Sequence, residues 1–312
     1  MDDHPCRREG LRAVPRISVI LPVKNGERFV KSAIRSTLVA MPRDSELVVL
    51  DDASTDRTAE LLSSLRDRRL KVITGTASSG LAAGLNRLIA STDSEWIARM
   101  DADDISLPWR FAEQRTRMKA GTDFIFSPVV HLGPSRFRLK PTRPGSIGSA
   151  LAPYLLLLEN PFAHSTAMFR RTAIEGLGLY RNVGAEDYDV WLRAASHGYR
   201  LERTANPVLL YRHHTQQVTK DASWKARSRT EELLVESHSA LSNSLLGMAG
   251  DSISALRTGD APREVALRAD SLVRAIERHF AQAQPSTEVS RIRRTCKSAK
   301  ENLELRYRAA EC

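Results

Sequence analysis

ISVILPVKNGERFVKSAIRSTLV (17–39), followed closely by ELVVLDDASTD (46–56), decides how the chain is read. ISVILPV is an apolar, β-branched run that stops at Asn25-Gly26, and the residues after it place Phe29, Ala33, Ile34 and Leu38 at helical spacing. This is a strand, a turn and a helix, and ELVVL (46–50) starts the pattern again. Working outward, a helix from about Arg57 to Leu65, a strand at 70–73, a helix at 80–90 and a strand EWIARM (95–100) follow. EWIARM runs directly into DADD, a helix spans 107–119, and DFIFSPVV (123–130) reads as one further strand. Strands alternating with helices at these intervals predict an α/β domain with a mostly parallel central sheet. Sheets of this kind bind ligands beyond the C-terminal ends of their strands, which directs attention to Pro22–Glu27, Asp51–Asp56 and Asp101–Asp104.

Downstream, 131–160 is less regular and rich in Pro and Gly, with room for a loop and a short amphipathic helix. A strand within 162–170, a helix at 186–197 and a strand at PVLLYRHH (207–214) complete this region. Three helical segments come after Thr219, at 224–247, 262–283 and 288–310. The reading therefore divides the chain into a flexible lead (1–15), an α/β domain (16–219) and a helical C-terminal extension (220–312).

With 312 residues, 42% of them hydrophobic, the chain has enough apolar material for a large core and is not disordered by composition. Lys and Arg number 47 against 37 acidic residues, a formal +10 that suits polyanionic company: nucleotide phosphates, anionic headgroups or nucleic acid. An aromatic fraction of 6%, without basic and aromatic residues interleaved, argues against a nucleic-acid reader. Cys6, Cys296 and Cys312 lack metal-ligand spacing and fit a reducing compartment. The first apolar run begins only at Ile17, and Leu151–Leu158 is too short to span a bilayer. The expectation is a cytoplasmic protein, with peripheral contact at the inner face of an anionic membrane left open.

Several constellations are suited to chemistry, and each has a plainer reading beside it. Asp101, Asp103 and Asp104 repel one another unless a compact cation joins them; the alternative is a solvated turn capping the next helix. Asp51, Asp52 and Asp56 follow a strand, where a carboxylate meets a base or ribose hydroxyl, or simply supports a turn. Pro22, Asn25 and Glu27 end the first strand in an ordinary turn sequence, and no GxGxxG fingerprint is present. Glu186 and Asp187 open a helix, where carboxylates are favoured by the helix end and where a general base for a hydroxyl acceptor is equally well supplied. His213 and His214 alternate on the expected strand, so at most one is expected to face a site.

Taken in order, these segments resemble the family 2 glycosyltransferases. PVKNGERFVKSAIRSTL (22–38) is similar to that family's opening unit, ELVVLDDASTDRT (46–58) to its nucleotide-binding signature, and GLAAGLNRLIASTDSEWIARMDADD (80–104) to the helix and strand ending in its DxD motif. NPFAHSTAMFRR (160–171), AEDYDVWLRAA (185–195) and YRHHTQQVT (211–219) resemble its acceptor strand, acid-pair helix and closing segment. The resemblance implies the GT-A fold and inverting, metal-dependent transfer of a hexosyl group from a nucleotide diphospho-sugar, in surface polysaccharide or glycolipid biosynthesis. It implies a nucleotide pocket of Pro22, Val23, Asn25, Glu27, Asp51 or Asp52, and Asp101. Asp103 and His214 would hold Mg²⁺ or Mn²⁺, Asp187 would be the base, and Glu186 would orient a glycan or lipid-linked glycan acceptor. Ala53 stands where the family usually has glycine, and 220–312 lie outside the likeness. Two other readings stay open: a catalytically silent sugar-nucleotide or glycan binder, and a nucleotidyltransferase, which would normally show a glycine-rich phosphate loop that PVKNGE lacks.

Overall fold

The computed structural model describes residues 16–118, 121–133, 139–141, 145–214, 231–257 and 261–308. The lead at 1–15, the segment 215–230 and the end of the last expected helix lie outside these residues.

The α/β expectation holds. Strands β1 (Ile17–Val23) and β2 (Ser45–Asp51), separated by helix α1 (Val30–Ala40), are buried along almost their whole length, as strands covered on both faces must be. Their side chains divide with period two. Ile20, Val48 and Leu50 enter one core, while Val19, Leu21, Leu47 and Val49 enter the other. Helix α2 (Thr58–Ser63) leads to strand β3 (Leu70–Thr74), a largely exposed edge, and helix α3 (Leu81–Ala90) leads to β4 (Trp96–Arg99). The register Val23↔Asp51↔Thr74 aligns the C-terminal ends of β1, β2 and β3, and Ile20↔Arg99 sets β4 so that DADD emerges on the same side.

After β5 (Ile105–Ser106) and α4 (Arg110–Met118), the stretch expected as one strand is two. Strand β6 (Phe124–Phe126) joins the central sheet and β7 (Val129–Leu132) joins a second one. The break falls at Ser127-Pro128, where proline has no N–H for a ladder. Strand β8 (Leu139–Pro141) pairs with β7, and helix α5 (Ala152–Leu156) follows. The strand expected within 162–170 is a 3-10 turn at His164–Thr166 followed by β9 (Met168–Arg170). Helices α6 (Arg171–Gly176) and α7 (Glu186–Ser196) and strands β10 (Leu201–Arg203) and β11 (Leu209–Arg212) come next. The described central sheet has seven strands in the order β10-β6-β9-β4-β1-β2-β3, all parallel to their neighbours except β9. The second sheet has the order β5-β11-β7-β8.

Helices α8 (Glu232–Leu246), α9 (Ile253–Arg257), α10 (Arg263–His279) and α11 (Thr287–Arg308) pack over one side. Leu234, Leu241, Leu272, Ile276 and Ile292 are buried in the same cluster as Phe124, Phe169 and Trp191, so these helices share a core with the sheet. Among the described residues, no helix is long and apolar enough to cross a membrane.

Candidate active site

Beyond the C-terminal ends of β1, β2 and β4 lies a cleft of about 940 Å³, lined also by the start of α7 and the end of β11. Pro22, Val23, Asn25 and Asp52 line one end of it. The turn after β1 is tightly held. Asn25, at φ +52°, accepts a hydrogen bond from the Thr55 N–H (2.8 Å), and its own N–H donates to Ser54 Oγ (2.9 Å). A Cβ on Gly26 would lie 2.5 Å from Val23 Cγ2, so glycine is required there. Glu27 and Asp51 do not line the cleft. Glu27 accepts from the Arg57 N–H (3.1 Å) and Asp51 from the Ser54 N–H (3.0 Å), so both brace the loop.

Asp52 accepts from Ser78 Oγ, the Ser79 N–H and Oγ, and the Gly80 N–H at 2.8–3.2 Å. Burial opposes its charge, but these four donors outweigh it and hold the carboxyl below its usual range. Lys24 Nζ donates to Ser78 Oγ (2.9 Å), bringing a cation to the same rim.

Ligand oxygens of Asp101, Asp103 and Asp104 lie within 4.8 Å of one another just past β4. His214 Nε2 is 2.7 Å from Asp103 Oδ2, although 111 residues separate them. The Arg212 N–H donates to Asp104 Oδ1 (2.9 Å) and Arg212 Nε to the Asp103 carbonyl (2.8 Å), so β11 clamps the acidic turn from outside. Asp104 is fully buried, and its Oδ2 has no hydrogen-bond partner among the described residues. Burial, reinforced by the charges of Asp101 and Asp103, raises the Asp104 carboxyl well above its ordinary value. Burial also raises Asp101, against the pull of the Arg99 guanidinium that pairs with it. Three converging carboxylates, one with an orphaned oxygen, form a donor set that a hard divalent cation fits.

In the same cleft, Glu186 is buried and Asp187 half-buried at the first turn of α7. Asn160 Nδ2 donates to Asp187 Oδ2 (3.0 Å). His164, set by the 3-10 turn, places Nδ1 3.5 Å from Glu186 Oε1 and Nε2 3.0 Å from the Tyr180 hydroxyl. Burial pushes Glu186 up to about 7 and raises Asp187, while burial together with the Arg99 charge pulls His164 down to about 3. His164 is therefore neutral at pH 7 and serves as a hydrogen-bonding prop. Arg99, almost wholly buried, acts electrostatically on Asp101, Glu186 and His164 together, tying the two carboxylate groups into one field.

The structure thus brings Pro22, Val23, Asn25, Asp52, Asp101, Asp103, Glu186, Asp187 and His214 to one cleft. Contrary to the alternation expected for a strand, His213 lines it as well as His214, because β11 ends at Arg212 and both histidines lie past the pleat. His213 Nε2 lies 2.9 Å from His131 Nδ1. Sequence reading missed Arg99, Asn160 and His164. All three sat in segments already quoted, EWIARM and NPFAHST, and a charge inside an apolar strand was the available signal for Arg99 alone.

A mostly parallel sheet carrying an acidic cleft at its strand ends, with a second carboxylate pair on its wall, defines a GT-A type of transferase site. The sequence profile of Glycosyl transferase family 2 matches residues 18–178. The chain belongs to that family and is a glycosyltransferase. Among its relatives, the putative glycosyltransferase EpsE of Bacillus subtilis is 32% identical over 193 residues, spanning 60% of this chain and 69% of EpsE. The O-antigen biosynthesis glycosyltransferase WbnJ of Escherichia coli is 30% identical over 224 residues, spanning 68% and 85% of the two chains. Among solved structures, S. aureus TarS 1–349 in complex with UDP-GlcNAc has a TM-score of 0.61 at 16% identity, covering 95% of this chain and 92% of that one. The mannosyltransferase PcManGT from Pyrobaculum calidifontis, in complex with GDP-Man and Mn²⁺, has a TM-score of 0.55 at 19% identity, covering 94% and 86%. At such identities these structures speak for the fold.

Proposed function

We propose that the cleft transfers a sugar from a nucleotide diphospho-sugar to an acceptor hydroxyl in a single displacement that inverts the anomeric centre. The observation that carries this reading is the placement of two carboxylate groups, Asp101/Asp103 (backed by the buried Asp104) and Glu186/Asp187, on the walls of one cleft. Pro22, Val23, Asn25 and Asp52 bind the nucleoside, with Glu27 and Asp51 bracing their loop. Asp103 and His214, beside Asp101, would hold Mg²⁺ or Mn²⁺, which when bound neutralises diphosphate charge as a Lewis acid. Asp101 reaches the ribose. Asp187 takes the proton from the acceptor hydroxyl as that oxygen attacks, and burial, which raises its carboxyl above the ordinary range, makes it a stronger base. Glu186, propped by His164, orients the acceptor.

The acceptor class we favour is a glycan or lipid-linked glycan of a surface polysaccharide or glycolipid, in line with the O-antigen role in the name of WbnJ. A cytoplasmic setting beside an anionic membrane surface accords with the formal charge of +10. The test is binding of UDP, GDP, dTDP and CDP, each with and without Mn²⁺, to wild type and Asp103→Ala. Metal-dependent binding of one nucleotide, lost in the variant, is expected. A folded protein that binds none of them would shift the reading to a silent binder of some other ligand.

A further inference from the structure

The C-terminal helices do more than cover the sheet, because one of their residues enters the cleft. Arg257, the last residue of α9, lines it beside Tyr188, with its guanidinium 5.1 Å from the centre of that ring. Tyr188 is the neighbour of Asp187 on α7, and its hydroxyl donates to the Leu156 carbonyl, so the ring is a fixed platform. Arg257 Nη1 is enclosed and has no hydrogen-bond acceptor, and Arg257 makes no ion pair among the described residues. Arg203, from β10, lines the same cleft. Its guanidinium is lowered to about 9, first by burial and then by the nearby Arg291 charge, with the Glu159 carboxylate acting in the opposite sense. A partly buried guanidinium without an ion pair among the described residues, as at Arg257, is unfavourable in the empty protein and favourable once an anion arrives. Guanidinium groups suit phosphoryl and carboxylate oxygens in particular, through paired N–H donors.

We propose that Arg257, with Arg203 beside it, forms a subsite for an anionic group, phosphoryl or carboxylate, carried by the acceptor. The inference rests on the reading above that the Asp187 end of the cleft receives the acceptor. It assigns to the segment beyond residue 178, which the family profile does not cover, a part in choosing the acceptor.

The test uses the full chain with Mg²⁺ and a saturating nucleoside diphosphate to block the donor end. Inorganic phosphate and glucuronate are titrated calorimetrically at constant ionic strength, with KCl as the reference. Wild type is expected to bind at least one of the two, and Arg257→Gln to weaken that binding about tenfold or more with nucleotide affinity unchanged. Arg257→Lys keeps the charge without the fork, so it should lie between them, and it decides the matter if the Gln variant does not fold. Tighter phosphate binding points to a phosphate-linked acceptor, and tighter glucuronate binding to an acidic sugar. Equal anion binding by wild type and Arg257→Gln, or no binding beyond KCl, overturns the subsite. Failure of wild type to bind nucleotide strikes the donor reading alone, since the anion comparison between the two proteins is read without nucleotide as well.

Discussion

Asp189 is fully buried on α7, two residues beyond the proposed base, and is the joint between that helix and α8. Its Oδ2 accepts from Arg181 Nε (3.0 Å) and Arg193 Nε (2.9 Å), and its Oδ1 accepts from Ser237 Oγ of α8 (2.8 Å) and from Arg181 Nη2. Asp189→Ala would leave two guanidinium groups without the carboxylate they share, while the Ser237 hydroxyl would keep only the Leu233 carbonyl (3.0 Å) as its acceptor. Breaking one partner out of such a network typically costs about 3–5 kcal/mol. The Arg181 side chain keeps 29% of its exposure and water would resolvate it in part, which puts the expected loss near the lower end, about 3 kcal/mol. With an unfolding entropy of roughly 2.1 cal/mol/K per residue, that is a fall in Tm of about 4–5 °C for a chain of this size. Urea unfolding followed by circular dichroism measures the free energy directly. A loss under about 1 kcal/mol with an unchanged m-value would refute the view that this carboxylate, rather than apolar packing, fastens α8 to the helix carrying Glu186 and Asp187.

Three further outcomes follow from particular residues. Ala53 sits at φ +57°, in the left-handed region that disfavours a side chain by about 1–2 kcal/mol, so Ala53→Gly should stabilise the fold by about 0.5–1 kcal/mol after the greater chain entropy of glycine is subtracted. A rise in Tm of about 1 °C checks this, and a fall would contradict it. On the proposed mechanism kcat/KM falls as pH drops through about 7, because Glu186 is pushed up to about 7 and Asp187 is also raised, so both charges are lost on the acid side. Glu186→Gln removes a negative charge that helps raise Asp187, so the remaining midpoint should move to lower pH; an unmoved profile would exclude coupling between the pair.

Much of this protein was legible in the chain because it is local. Apolar runs and helical spacing gave the strands and helices of 17–118 apart from the short β5, and DADD and the Glu186-Asp187 pair stand out because their carboxylates are close in sequence. Other features depended on contacts between distant segments. Asp103 meets His214 across 111 residues, and Arg99 and His164 become parts of a site only when β4, the 3-10 turn and α7 come together. Asn25 and Glu27 look alike as turn residues, yet one lines the cleft and the other braces it, a difference set by the bonds to Thr55 and Arg57. The end of β11 at Arg212 turned an expected alternation into two histidines on one side, and Arg257 reaches the cleft only because α9 folds back onto Tyr188. Backbone geometry and side-chain periodicity act over a few residues and can be read from sequence order. The burial that moves a pKa, and the partner that a charge finds or lacks, belong to the packed molecule.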